Sequence, residues 1–156
     1  MSQQGIRGFY QLTETIKDQL LADVNINTVT TGDLYDVNLN KQDIFPLAHI
    51  IVNNVIQQEQ TLNFNISILA MDIVDQSKLP TEDRFIGNNN EQDILNTQLS
   101  VLNKVIQVLR MGTLYTDKYQ LDGDVICEPF YDRFENQVCG WTATMDIMIY
   151  NDINIC

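Results

Sequence analysis

A chain of 156 residues with 44% apolar content is long enough to bury roughly 70% of the surface its unfolded form exposes, so one domain without disulfide or metal staples is expected. The 21 acidic residues outnumber the 9 basic ones and leave a net charge of −12, with the lysines and arginines scattered along the chain. That balance disfavours high-affinity DNA or RNA binding and argues against anionic membrane surfaces, and no apolar run approaches the ~18 residues of a membrane span.

The opening residues, MSQQGIRGFYQ, lack the apolar stretch of a secretory leader, so nothing suggests secretion. Residues 8–22 place Phe9, Leu12, Ile16 and Leu20 at spacings of three and four, the stripe of an amphipathic helix that covers a sheet. Residues 23–29 alternate Val24, Ile26 and Thr28 with polar neighbours and predict a short strand, ended by the turn signal Thr30-Thr31-Gly32-Asp33. A second short strand is predicted over 34–39, followed by a polar loop around Lys41.

The stretch 45–75 organises the chain. Pro46 suits the first position of a strand, where its missing N–H does no harm, and 48–57 follows with Ile50, Val52 and Ile56 sharing a face with Asn54. Leu62, Phe64, Ile66, Ile68 and Ala70 then alternate with Asn63, Asn65 and Ser67, the period of a half-buried strand. Between them, Gln57-Gln58-Glu59-Gln60 reads either as a hairpin turn without glycine or as the exposed middle of a long β-ribbon that projects past the domain. Projection is the favoured reading, since strand-compatible alternation continues through the run; such a ribbon needs a neighbour to protect its edges.

Residues 76–90 hold Pro80, Gly87 and three consecutive asparagines with little apolar content, which predicts a long polar loop and potential contact arm. A second helix is predicted over 91–111, with Asn90 at its cap, Glu91 and Asp93 in its first turn, a stripe of Leu95, Leu99, Leu102, Ile106 and Leu109, and Gly112 as its stop. Residues 114–121 begin a strand interrupted by Asp122-Gly123-Asp124, and 125–131 and 138–150 read as an antiparallel pair. The last strand alternates Cys139, Trp141, Ala143, Met145, Ile147 and Ile149 with Thr142, Thr144 and Asp146. The expected architecture is therefore α+β: one domain over 1–156, with two helices packed on one face of a mainly antiparallel sheet, a long β-ribbon and a long polar loop.

No catalytic, cofactor-binding or metal-ligating set is expected. Cys127, Cys139 and Cys156 are odd in number and widely spaced, the pattern of reduced thiols; Cys127 and Cys139 are placed on neighbouring strands where they could face one another. Zinc through these cysteines and His49 lacks a C-x-x-C pair, and His49 reads as a structural histidine in an apolar strand. Asp122, Asp124, Glu128, Asp132 and Glu135 crowd one region, but without the D-x-D-x-D-G spacing of a calcium loop. Asp33, Asp36, Asn38 and Asn40 form a weaker cluster, and no phosphate loop, nucleophile elbow or Cys/His pair is present. Trp141, the sole tryptophan, reads as a core anchor, with an anchor between subunits as the other reading.

The order helix, strands, long polar loop, helix, strand pair, ending in Gly140-Trp141-Thr142-Ala143-Thr144 and Ile147-Met148-Ile149, resembles bacteriophage tail-terminator and tail-completion proteins. The segments FYQLTETIKDQLL, DVNLNKQDIFPLAHIIVNNV, ILNTQLSVLNKVIQVLR and CEPFYDRFENQVCGWTATMDI resemble ring structural proteins of crAss-like phages. The resemblance spans most of the chain and implies a non-enzymatic virion protein assembled in the host cytoplasm. It implies a homo-oligomeric six- or twelve-fold ring at the head–tail connector (neck) or upper tail. Its partners would be copies of itself and neighbouring portal, neck or tail proteins, with DNA passing through the channel unbound and no membrane involved. Two rivals are a small-molecule or calcium-binding module and a carboxylate-dependent hydrolase; the latter requires two acidic side chains facing each other across a cleft.

Overall fold

The computed structural model describes residues 4–32, 45–74, 90–111, 119–133 and 138–150. In chain order these form α1 (Gln4–Leu21), β1 (Thr28–Thr31), β2 (Leu47–Gln57), β3 (Thr61–Ile73), α2 (Glu91–Met111), β4 (Tyr119–Arg133) and β5 (Val138–Tyr150). The strands build one sheet in the order β1-β2-β3-β5-β4, parallel between β1 and β2 and antiparallel elsewhere. Both helices pack on the same face of this sheet, so the α+β architecture expected from the sequence is the one observed.

The sheet is centred on β3, whose alternation is written in its composition. Phe64, Ile66, Ile68 and Ala70 point into the main core, where they meet Leu12, Ile16 and Leu20 of α1 and Val101, Leu102, Val105 and Leu109 of α2. Opposite them on β5 stand Ile147, Met145, Ala143 and Trp141, in register with Phe64, Ile66, Ile68 and Ala70. A second buried cluster occupies the other face at one end of the sheet, from Phe45, Leu47, Leu69, Met71, Phe130 and Val138. One end of β3 is thus apolar on both faces. The other end is apolar only toward the helices.

Several local expectations change. On α1 the buried row runs Gly8, Leu12, Ile16 and Leu20, at strict four-residue spacing, and Phe9 is exposed. Residues 23–27 are not strand: the Asp23 carboxylate accepts the Asn25 backbone N–H at 2.9 Å and folds the chain into a turn that leaves Val24 fully out. β1 begins only at Thr28 and includes the threonines expected to end it. Pro46 precedes β2, and its carbonyl accepts the N–H groups of Asn27 and Thr28. The strand expected over 34–39, the loop expected over 76–90 except for Asn90, and the Gly112 stop lie outside the described residues.

The expected face of β2 is broken by a bulge. Val52 pairs with Ile66 and Asn54 with Asn65, which leaves Asn53 as an extra residue and reverses the alternation beyond it. Val55, opposite Phe64, therefore continues the helix-facing row, while Ile56 and Asn54 turn to the other face. The Gln57–Gln60 run is a hairpin turn, closed by the Gln58 N–H donating to the Thr61 carbonyl at 2.9 Å. β2 and β3 form the long ribbon expected, but it does not stand off alone, since β3 stays paired with β5 to its first residue, Thr61 with Tyr150.

α2 keeps its expected bounds with its buried face rotated. Ile94, Gln98, Val101, Leu102, Val105 and Leu109 are buried, whereas Leu99 is exposed. In this orientation the Trp141 indole N–H donates to the Leu95 carbonyl at 2.8 Å and ties that turn of helix to β5. On β4 the Asp122-Gly123-Asp124 stretch interrupts the pairing but not the strand. Asp122 pairs with Asp146 and Ile126 with Thr144, so β4 carries extra residues through an irregularity at Gly123, whose φ is 75°.

Candidate interaction surfaces

The sheet face away from the helices is where chemistry-bearing side chains converge. Cross-strand register stacks it in rows: Leu47, Met71, Gly140 and Phe130; then His49, Leu69, Thr142 and Glu128; then Ile51, Ser67, Thr144 and Ile126; then Asn54, Asn65, Asp146 and Asp122; then Ile56, Asn63, Met148 and Gln120. The rows pass from buried and apolar to polar and exposed toward the hairpin end.

A lateral hydrogen-bond network ties the polar rows together. The Asn53 amide donates to Asn65 Oδ1 at 2.8 Å and to Ser67 Oγ at 2.9 Å, and the Asn65 amide in turn donates to Asp146 Oδ1 at 2.9 Å. The hydroxyls of Ser67 and Thr144 share a further bond of 3.2 Å. The two amide links, Asn53 to Asn65 and Asn65 to Asp146, point their donors toward the carboxylate, the direction in which successive amides polarise one another. The bulge makes this possible, because the extra residue, Asn53, reaches two residues of β3. Asn65 and Ser67 were legible in the sequence as the polar face of β3, and Asp146 as a polar position of β5; Asn53 and the link between the strands were missed, since neither the bulge nor the register has a sequence signal of its own.

Asp122 stands directly opposite Asp146 across β4 and β5. Like charges in that relation are unfavourable, and among the described residues no lysine or arginine pairs with either; the ion pair found there joins Lys104 to Asp23 at 3.3 Å. Asp122, Asp124 and Glu128 are exposed on β4, which ends the described sheet. Asp132 and Glu135, like Asp33, Asp36, Asn38 and Asn40, have no described side chains. No three carboxylate, histidine or cysteine side chains converge among the described residues.

His49 is fully buried between β1 and the second core cluster. The Gly32 carbonyl lies 3.2 Å from Nε2 and can only accept, so that nitrogen donates, and Nδ1 and the Thr30 hydroxyl share a hydrogen bond of 2.7 Å. Trp141 is the core anchor described above. Cys127 and Cys139 do sit on adjacent strands but do not face each other: Cys127 pairs with Ala143 and Cys139 with Asp72, and no disulfide joins them. Burial pushes the Cys127 thiol up, away from thiolate chemistry.

A cleft of about 600 Å³ lies between the end of α1 and α2, lined by Ala22, Val24, Val101, Val105 and the Lys104–Asp23 pair. Burial acts to raise the Asp23 carboxyl, but the Asn25 N–H and Lys104 outweigh it and leave it below the ordinary value. A smaller cavity, about 160 Å³, sits between α1 and β1 beside Tyr10, Lys17, Val29, Thr30 and Ile50.

No protein-family model matches this chain, and no curated protein matches it at a significant level. The function therefore has to be argued from the surfaces themselves. Large apolar side chains are exposed at opposite edges of the sheet: Tyr10 on α1, beside β1, and Ile126 and Tyr131 on β4. Among the described residues β4 pairs with β5 alone. Asp122, Asp124, Glu128 and Pro129, with the Gly123 irregularity, mark its edge as one protected from indiscriminate strand pairing.

Proposed function

We propose that this protein is a non-enzymatic virion structural subunit. It forms a homo-oligomeric ring at the head–tail connector or upper tail, bridges portal and tail, and surrounds the DNA channel. The observation that carries the reading is the pair of unlike apolar edges. Tyr10, 56% exposed beside β1, and Tyr131, 54% exposed on β4, lie at opposite ends of one sheet. A ring needs a head-to-tail contact between two different surfaces that closes by rotation, whereas a two-fold dimer needs one self-complementary patch. The resemblance to tail-terminator and crAss-like ring proteins supports the same assignment, and so does charge. A wall bearing part of the −12 repels phosphate, which lets DNA pass without adhering.

Complementation tests it. Tyr10→Asp and Tyr131→Asp each spoil one of the two edges and, at exposed sites, leave the fold intact. Light scattering should show each variant as a monomer and their mixture as a dimer, because one intact edge of each kind then remains to pair. A mixture that stays monomeric, or single variants that still assemble, would rule out the head-to-tail ring.

A further inference from the structure

The sheet face turned from the helices has features that ring closure through the sheet edges does not use. Asp122 and Asp146 stand opposite one another, and neither has a cation partner among the described residues. Asp146 is held in place by Asn65, itself held by Asn53, so one carboxylate is fixed through a network that runs from β2 across β3 to β5. In neighbouring rows of the same face, Ile56 and Tyr150 expose more than half of their surface. A fixed acidic centre beside exposed apolar side chains is the arrangement of a protein-docking face, where charge sets orientation and apolar contact supplies affinity.

We propose that this face docks a cationic segment of a different protein, its lysine or arginine side chains over Asp122 and Asp146 and its apolar side chains against Ile56 and Tyr150. Charge complementarity decides the class of occupant. A second copy is a poor match, since the chain carries 21 acidic residues against 9 basic ones. Of its cations with described side chains, Lys104 and Arg110 are on α2, engaged with Asp23 and with the Gly123 carbonyl, and Lys17 is on α1 beside β1. Nucleic acid is excluded by its phosphates.

The probe is a hexapeptide of alternating arginine and leucine, titrated into the isotope-labelled full chain at about 150 mM salt, where screening beyond about 8 Å suppresses diffuse attraction. Shifts should concentrate at the amides of Asn65, Thr144 and Asp146. The near-isosteric double variant D122N/D146N should weaken binding roughly tenfold or more, while the charge-matched α1 variant E14Q/D18N should change it less than about twofold. Equal weakening by both variants, shifts on the helices, or no binding at all would overturn the proposal. A thermal melt of each variant separates lost docking from lost folding, and none of these results depends on whether rings form.

Discussion

Gly140 shows how much one missing side chain matters. A Cβ there would lie 2.8 Å from Met71 Cα and press on the Ala70 carbonyl oxygen, and neither backbone atom can move without disturbing the central pairing of β3 with β5. Gly140→Ala should therefore cost about 1–3 kcal/mol or more, read as a lower denaturation midpoint with an unchanged slope. Gln98 predicts the opposite sign. It is 1% exposed on the buried face of α2, and its Oε1 has no partner among the described residues. Gln98→Leu keeps the volume and removes an unsatisfied carbonyl, so it should stabilise the protein by about 1 kcal/mol or more in the same measurement. Asp72 gives a pH test. Burial raises its carboxyl above 3.8, only partly offset by the Ile73 N–H that it accepts. The folded state thus holds this proton more tightly than the unfolded one, and stability falls as pH rises above the ordinary carboxyl range. Asp72→Asn should melt higher than the parent at pH 7 and equal to it near pH 3, and a gap of the same size at both would contradict the sign.

The two helices and the sheet were legible because each carries a long period. The alternation of β3 and β5 and the acidic start of α2 gave these elements close to their observed bounds. What was not legible depended on contacts far apart in sequence. The bond from Trp141 to the Leu95 carbonyl, 46 positions away, is one such contact, and no spacing within the helix discloses it. Trp141→Phe removes that bond while keeping most of the ring, and should cost about 1 kcal/mol. It should also speed amide exchange in the first turns of α2 more than elsewhere; uniform acceleration would mean that the indole is not the pin. The reversal of β2 beyond Val52 is similar. Residues on both sides of Asn53 are compatible with strand, so only pairing with Asn65 and Ser67 reveals the extra residue. The Asp122-Gly123-Asp124 stretch misled in the other direction: a turn signature is also what a bulge within a strand requires.

For the whole molecule, the distribution of polar and apolar surface says more than any single group. The helices cover one face, a second apolar cluster fills one end of the other, and the rest of that face is left polar, acidic and hydrogen-bonded sideways. Asn65, Ser67, Thr144 and Asp146 could each be placed on a strand from sequence, but that they form one surface follows only from register. The exposed apolar side chains at the β1 and β4 edges are likewise separated by most of the chain. Their relation becomes visible only once the strand order places them at opposite ends of the sheet. Native mass spectrometry of the purified chain across a concentration series tests the ring most directly. The account predicts a closed species of six or twelve copies of the 17.9 kDa chain, with no accumulation of dimers. A monomer at every concentration, or a dimer that grows no further, would contradict it.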